Sequence, residues 1–197
     1  INRRKKIMNF NKKNRILKKG ISITPVKFGI SFTTTLLNQG GALVHVYTDG
    51  SVHLNHGGIE MGQGLMTKIS LIAANELGLS TNEIKITSTD TEKVPNTSAS
   101  AASASTDING AAVVNAIDKI KKNLALFINK NFNYKGKLIK FKNNKVYYGK
   151  KSIDFKKLIS LAYLDRVPLF SSGFYKTPKI FVNKKTLKGR PFLYFCY

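Results

Sequence analysis

Two alternating apolar runs, Ala42-Leu43-Val44-His45-Val46-Tyr47 and Ser51-Val52-His53-Leu54-Asn55, flank the tripeptide Thr48-Asp49-Gly50. An Asp-Gly pair accepts the positive φ of a tight turn, and period-two alternation turns one face of each run inward, so this stretch predicts a β-hairpin. The hairpin runs straight into His56-Gly57-Gly58-Ile59-Glu60-Met61-Gly62-Gln63-Gly64, a segment with four glycines. Leu65, Ile69, Ile72, Ala73 and Leu77 then keep helical spacing, and Gly78 supplies a stop. Residues 83–87 read as a short strand. The tract from Pro95 to Asp107 is almost entirely small or hydroxyl-bearing and leads to a second helix. Asp107 or a nearby Ser or Thr is its expected cap, with Ile108, Ala111, Ala112, Ile120, Leu124 and Phe127 on its buried side.

Around this centre the pattern is plainer. Residues 1–20 predict a basic helix ended by Gly20, and residues 21–28 an edge or irregular strand, because Pro25 has no N–H to offer a ladder. Residues 138–141 and 146–148, on either side of Asn143-Asn144, predict another hairpin, and 155–164 a short helix. Strands interspersed with helices give an α+β architecture, a mixed sheet with packed helices. The 197 residues are read as one domain, 1–197, with the loops of interest within 28–118 and basic flanks at 1–27 and 119–197.

Composition excludes several classes. A single cysteine, Cys196, rules out a disulfide framework and any metal site built on several thiolates; it reads as a small buried hydrophobe. No run approaches the ~18 apolar residues of a membrane span, and no secretory signal is evident, so a cytoplasmic chain without membrane contact is expected. The formal charge of +23 suggests nucleic acid at first sight. Its distribution argues otherwise: residues 28–118 hold three basic and eight acidic side chains, net −5, which leaves +28 to the flanks. There, lysine alternates with Asn, Ile and Phe, as solvated faces do, and a nucleic-acid partner is not expected.

The two side-chain-poor segments share a design. Each delivers bare backbone to a helix N-terminus, where N–H groups and the helix dipole welcome an anion. Gly62-Gln63-Gly64 opens the first helix and the 100–105 stretch the second, so a pocket for an anionic cofactor is inferred. It is not a P-loop, since no Gly-Lys-Ser/Thr follows, and G-x-G-x-x-G is absent. His45 and His53 read as packing or surface residues of the hairpin rather than as metal ligands, and Glu60 as a carboxylate capping the first helix. Phe28 and Phe32 either join the core or wall a flat ligand.

Several of these segments together resemble the molybdenum-binding part of the xanthine dehydrogenase family. They are Thr24-Pro25-Val26-Lys27-Phe28-Gly29-Ile30-Ser31-Phe32-Thr33, Leu37-Asn38-Gln39-Gly40-Gly41-Ala42-Leu43, the 45–52 turn, the 56–64 loop, Val94-Pro95-Asn96-Thr97-Ser98, Asp107-Ile108-Asn109-Gly110 and Ser172-Gly173-Phe174-Tyr175-Lys176-Thr177-Pro178. They are colinear with the family from about Arg3 to Tyr197. The resemblance implies a partial molybdopterin-binding domain. Met61, Gly62 and Gln63 match one cofactor loop, with the Gln63 amide near the metal's oxo ligand or the pterin. Ala101, Ala102, Ser103 and Ser105 match the second. Phe32 matches a phenylalanine that sandwiches a purine, with Phe28 edge-on and Thr33 offering a hydrogen bond.

The resemblance further implies oxidative hydroxylation of hypoxanthine or xanthine to urate, with electrons passing to 2Fe-2S centres, FAD and NAD on partner domains or subunits. Counterparts of the family's upstream substrate-orienting Arg and Glu, its second sandwiching Phe and its upstream pterin loop are missing here. The general-base Glu is expected beyond Tyr197, and Ile59 stands where the family commonly has Thr. The chain is therefore expected to need the remainder of the molybdenum subunit and to be inactive alone. An aldehyde-oxidase-like member and a decayed, non-catalytic remnant are the alternatives.

Overall fold

The computed structural model describes the backbone of all residues except 1, 94, 95, 102, 192 and 197, and, of these, all side chains but those of 26–28 and 193–196. The chain runs α1 (Asn2–Lys13), β1 (Val26–Gly29), β2 (Gln39–Val46), β3 (Val52–His56), α2 (Leu65–Leu77), β4 (Ile84–Ile86), α3 (Ser105–Asn131), β5 (Ile139–Lys142), β6 (Lys145–Tyr148), β7 (Lys151–Asp154), α4 (Phe155–Leu164), β8 (Phe170–Lys176), β9 (Phe181–Val182), β10 (Gly189–Arg190) and β11 (Leu193–Cys196). Two compact units emerge, one of residues 1–29 with 193–197 and one of residues 30–192.

In the larger unit a four-stranded sheet has the order β4-β3-β2-β8. The β2–β3 hairpin forms as expected, with Val44 opposite Leu54, and β4 joins β3 in parallel after the α2 crossover. The sheet is thus mixed, as the α+β expectation requires. Ala42, Val44, Val46, Val52 and Leu54 are buried, and their helix-side partners include Leu65, Ile69, Ile117, Ile120 and Leu124. Each such side chain removed from water is worth roughly 1.5–3 kcal/mol, so this layer carries the stability of the unit. Gly78 ends α2 with φ +66°, and Lys121 of α3 binds Glu76 of α2 at 2.8 Å.

Strand β8 was not legible in the sequence, yet it pairs along the whole of β2, from Gln39–Lys176 to His45–Phe170. Gly173 explains its place: a Cβ there would collide with the backbone carbonyl of Ala112, so only glycine lets α3 settle onto this edge. A three-stranded meander, β5-β6-β7, forms beside α4. Its first turn is the expected Asn143-Asn144, with φ of 52° and 58°, the positive pair that a type I′ turn needs. Helix α4 has the expected bounds, and the Asp154 carboxylate caps it by accepting from the Lys157 N–H at 3.2 Å.

The smaller unit differs from expectation at one end. Helix α1 stops at Lys13 rather than Gly20 and buries none of its residues. The Asn11 amide exchanges two bonds of 2.8 Å with the backbone of Lys19, which folds the following segment back on the helix and ends it early. The expected strand before Phe28 is confined to β1, which begins just after Pro25 and pairs antiparallel with β11. No helix among the described residues is long and apolar enough to cross a membrane.

Candidate functional site

Strand β3 ends at His56, and the glycine loop starts there. His56 is 1% exposed. Its Nδ1 accepts the Gly58 N–H at 3.1 Å, so the proton of the neutral ring sits on Nε2. Among the described residues that Nε2 has no hydrogen-bond partner. Burial pushes the imidazole down to about 4, and a neutral ring suits the site. Gly58 threads between Leu65 and Asn109; a Cβ would meet their side chains at 2.5 and 2.9 Å.

The loop is then fastened to the serine-rich tract. The Thr89 hydroxyl bonds the carbonyls of His56 and Gly58 at 3.0 and 2.7 Å. Thr97 donates to the Gly57 carbonyl at 2.9 Å, and the Ile59 N–H donates to the Ser100 hydroxyl at 2.7 Å. Two segments inferred to share a ligand are therefore held side by side.

At the start of α2 the expected donors are already engaged. Glu60 Oε1 accepts the Gly62 and Gly64 N–H groups at 2.9 Å, and Oε2 accepts that of Met66 at 3.0 Å. These bonds, that of Met66 foremost, hold the Glu60 carboxyl below its ordinary value. The reading of Glu60 as a helix-capping carboxylate holds. The expectation of outward-facing N–H groups at this helix start is corrected, because an internal anion fills that role. Gln63 closes the loop on itself, accepting from the Met61 N–H at 2.6 Å and donating to the Ile59 carbonyl at 2.8 Å. The side chain of Met61 is exposed.

Helix α3 opens differently. Its N-cap is Ala104, with no side-chain cap bond, and Asp107 lies in the first turn rather than at the cap. The expected cap is thus not made by the N-cap residue. Ser103 is exposed, whereas Ala101 and Ser105 are half-buried. Ala102 lies outside the described residues.

Phe32 and Thr33 line a separate cavity of about 220 Å³, walled on its other side by Ile180, Phe181, Val182 and Arg190. Sequence reasoning missed the residue behind them. Asn38, 2% exposed, accepts the Phe32 N–H at 2.7 Å and donates to the carbonyls of Phe32 and Thr35, each at 3.1 Å. Its neighbour Gln39 accepts from Ser98 at its carbonyl (2.7 Å) and from Asn96 at its side chain (3.2 Å). A bonded path thus runs from the second loop to the residue adjoining Asn38. Phe28 lies on β1 in the smaller unit, with its side chain outside the described residues, as is that of Cys196.

His45 and His53 face each other across the hairpin with ring centroids 6.1 Å apart, and Phe170 stacks on His45 at 6.2 Å. That is a packing role, as expected. No cluster of three or more His, Cys, Asp or Glu able to hold a metal occurs among the described residues.

The family model described as "Molybdopterin cofactor-binding domain" matches residues 1–197. A xanthine dehydrogenase/oxidase of Gallus gallus is 49% identical over 195 residues, covering 99% of this chain and 13% of that protein. A xanthine dehydrogenase of Oryza sativa subsp. japonica is 43% identical over 194 residues, covering 98% of this chain and 13% of the relative. The chain therefore spans 13% of the length of these relatives. Among solved structures, quinoline 2-oxidoreductase from Pseudomonas putida 86 aligns with a TM-score of 0.70 at 16% identity, over 85% of this chain and 25% of that one. A CO dehydrogenase from Oligotropha carboxidovorans aligns at 0.64 and 24% identity, over 71% and 18%. Both share the fold.

Proposed function

The chain belongs to the molybdopterin cofactor-binding domain family, and from that membership we propose that it is part of a cytoplasmic xanthine dehydrogenase molybdenum subunit, holding one flank of molybdopterin and one wall of the purine site. The observation that carries this reading is the bond from Ile59 to Ser100, which sets the Gln63 loop beside the opening of α3. The donor set fits such a group. Helix α3 has no side-chain bond from its N-cap residue, and the positive end of its dipole suits a phosphate or an anionic ring edge. The buried Nε2 of His56 is a further donor without a partner among the described residues.

Bound molybdopterin would supply the metal centre for purine hydroxylation and the route for electrons to 2Fe-2S, FAD and NAD on partner domains. This chain's own work is orientation. Gln63, held by Met61 and Ile59, presents an amide in one rotamer; Met61, Gly62 and Ala101 bring backbone close, and Ser103 and Ser105 bring hydroxyls. Phe32 offers a ring face to a flat purine and Thr33 a hydrogen bond. The general-base Glu and the substrate-orienting Arg and Glu come from the remainder of the molybdenum subunit, so the chain alone is inactive.

The test is expression in a molybdopterin-producing host, with and without that remainder, followed by pterin analysis and an assay of xanthine-dependent NAD reduction. Pterin and turnover are expected in the completed protein only. Turnover by the isolated chain overturns the division of labour, and a completed protein without pterin overturns the whole reading.

A further inference from the structure

We propose that Asn38 is the positioning residue of the Phe32–Thr33 cavity, joining its two walls; the proposal rests on the purine-site reading only for what the cavity holds. The first wall, residues 31–35, wraps around the Asn38 side chain. Oδ1 accepts the Phe32 N–H, and Nδ2 faces the carbonyls of Phe32, Thr34 and Thr35 at 3.1, 3.4 and 3.1 Å. One buried amide therefore binds both backbone groups of Phe32 and adds a donor to the Thr34 and Thr35 carbonyls, which also accept the Leu37 and Asn38 N–H groups. The second wall is reached through the Asn38 backbone: its carbonyl accepts the Thr177 N–H at 2.9 Å. Thr177 follows β8 directly and leads to Ile180, Phe181 and Val182 on the opposite side of the cavity.

No other residue type reproduces this arrangement. Aspartate keeps an acceptor for the Phe32 N–H but turns a second oxygen toward three carbonyls. Serine is too short to span from Phe32 to Thr35. Leucine matches the volume but offers the Phe32 N–H and carbonyl nothing, and leaves the Thr34 and Thr35 carbonyls only their backbone donors, Leu37 and Asn38. Asn38 thus sets where the Phe32 ring and the Thr33 hydroxyl stand, without itself lining the cavity.

The test uses amide hydrogen exchange on the completed molybdenum subunit, with xanthine binding followed by saturation-transfer NMR. Variants are Asn38→Asp, Asn38→Ser and, as a control on the exposed face of β7, Ser152→Ala. Asn38→Ser is expected to speed exchange at least tenfold in residues 31–36 and 177–182 and to weaken xanthine binding at least fivefold. Asn38→Asp is expected to keep the Phe32 amide protected while the rest of the loop loosens, a split that a general loss of stability does not produce. Ser152→Ala should leave both segments unchanged. Should both Asn38 variants fail to fold, the wild-type chain decides: the Phe32 and Thr177 amides must be at least a hundredfold more protected than that of Thr33. Unprotected amides there, or variants that exchange like wild type, overturn the proposal. Faster exchange in the variants of a completed protein that never binds xanthine supports the clamp and sinks the purine reading.

Discussion

The backbone N–H of Ile59 donates to the hydroxyl of Ser100 at 2.7 Å, so one side chain fastens two loops far apart in sequence. Ser100→Ala removes that partner and leaves an N–H to find water at a partly covered site. A loss of about 1 kcal/mol in unfolding free energy is expected, read from urea denaturation. The larger effect should be on ligand retention, because the Gln63 loop and the opening of α3 lose their common tether. Pterin content of the completed protein should drop several-fold. Retention equal to wild type would show that the tether is incidental to the pocket.

Gly173 sets the distance between β8 and α3, since a Cβ there would strike the Ala112 carbonyl. Backbone cannot yield as a side-chain tip can. Gly173→Ala should therefore cost about 3 kcal/mol or more, through displacement of the edge strand. A Cβ added at Gly20 would meet nothing within 4 Å, and Gly20→Ala should stay within about 0.5 kcal/mol of wild type. Equal effects at the two glycines would refute the close approach.

His56 makes stability depend on pH. Its folded value lies near 4, against 6.5 for the free side chain, so between those values the unfolded chain binds more protons than the native one. Stability therefore rises with pH across that window and is lost on acidification below about 6.5, by up to roughly 3 kcal/mol at the acid end. Urea midpoints from pH 4 to 7 should show this limb in wild type and lack it in His56→Leu. A limb that survives the substitution would assign the acid sensitivity elsewhere.

What could be read in advance follows the range of the interactions involved. The β2–β3 hairpin announces itself through Asp49-Gly50, and α2 through the spacing from Leu65 to Leu77 ended by Gly78, because those signals act over a few residues. Strand β8 does not: Phe170-Ser171-Ser172-Gly173 looks like a loop, and becomes a strand through β2 on one side and α3 above. Asn38 likewise looks like a turn residue between Leu37 and Gln39. Its burial arises only when residues 32–35 wrap around it. Helix α1 shows the opposite error, where a local stop at Gly20 was pre-empted by Asn11 folding the chain back at Lys19. At the candidate site, the pairing of the two loops was legible as shared chemistry, whereas the bonds that hold them, from Thr97 and Ser100, have no signature in a tract where nearly every residue is small or hydroxylated.

Glu60 provides the last prediction, and it bears on how the first loop keeps its shape. Its two oxygens receive N–H groups from Gly62, Gly64 and Met66, and these bonds favour the charged form, which lowers the carboxyl's pKa. The native state thus binds fewer protons than the unfolded chain just below the ordinary carboxylate range. The stabilisation is fully present above that range and fades as pH falls through the lowered value. Glu60→Gln keeps one oxygen and replaces the other with a donor that faces the Met66 N–H. The melting temperature at pH 7 should fall, and amides 62–66 should exchange faster, while a mutant at exposed Glu92 should do neither. Loosening of this loop should also free Gln63 from Met61 and Ile59, so pterin content of the completed protein should fall with the melting temperature. If the loop exchanges faster while pterin content holds, the rotamer of Gln63 is set by the ligand and not by Glu60.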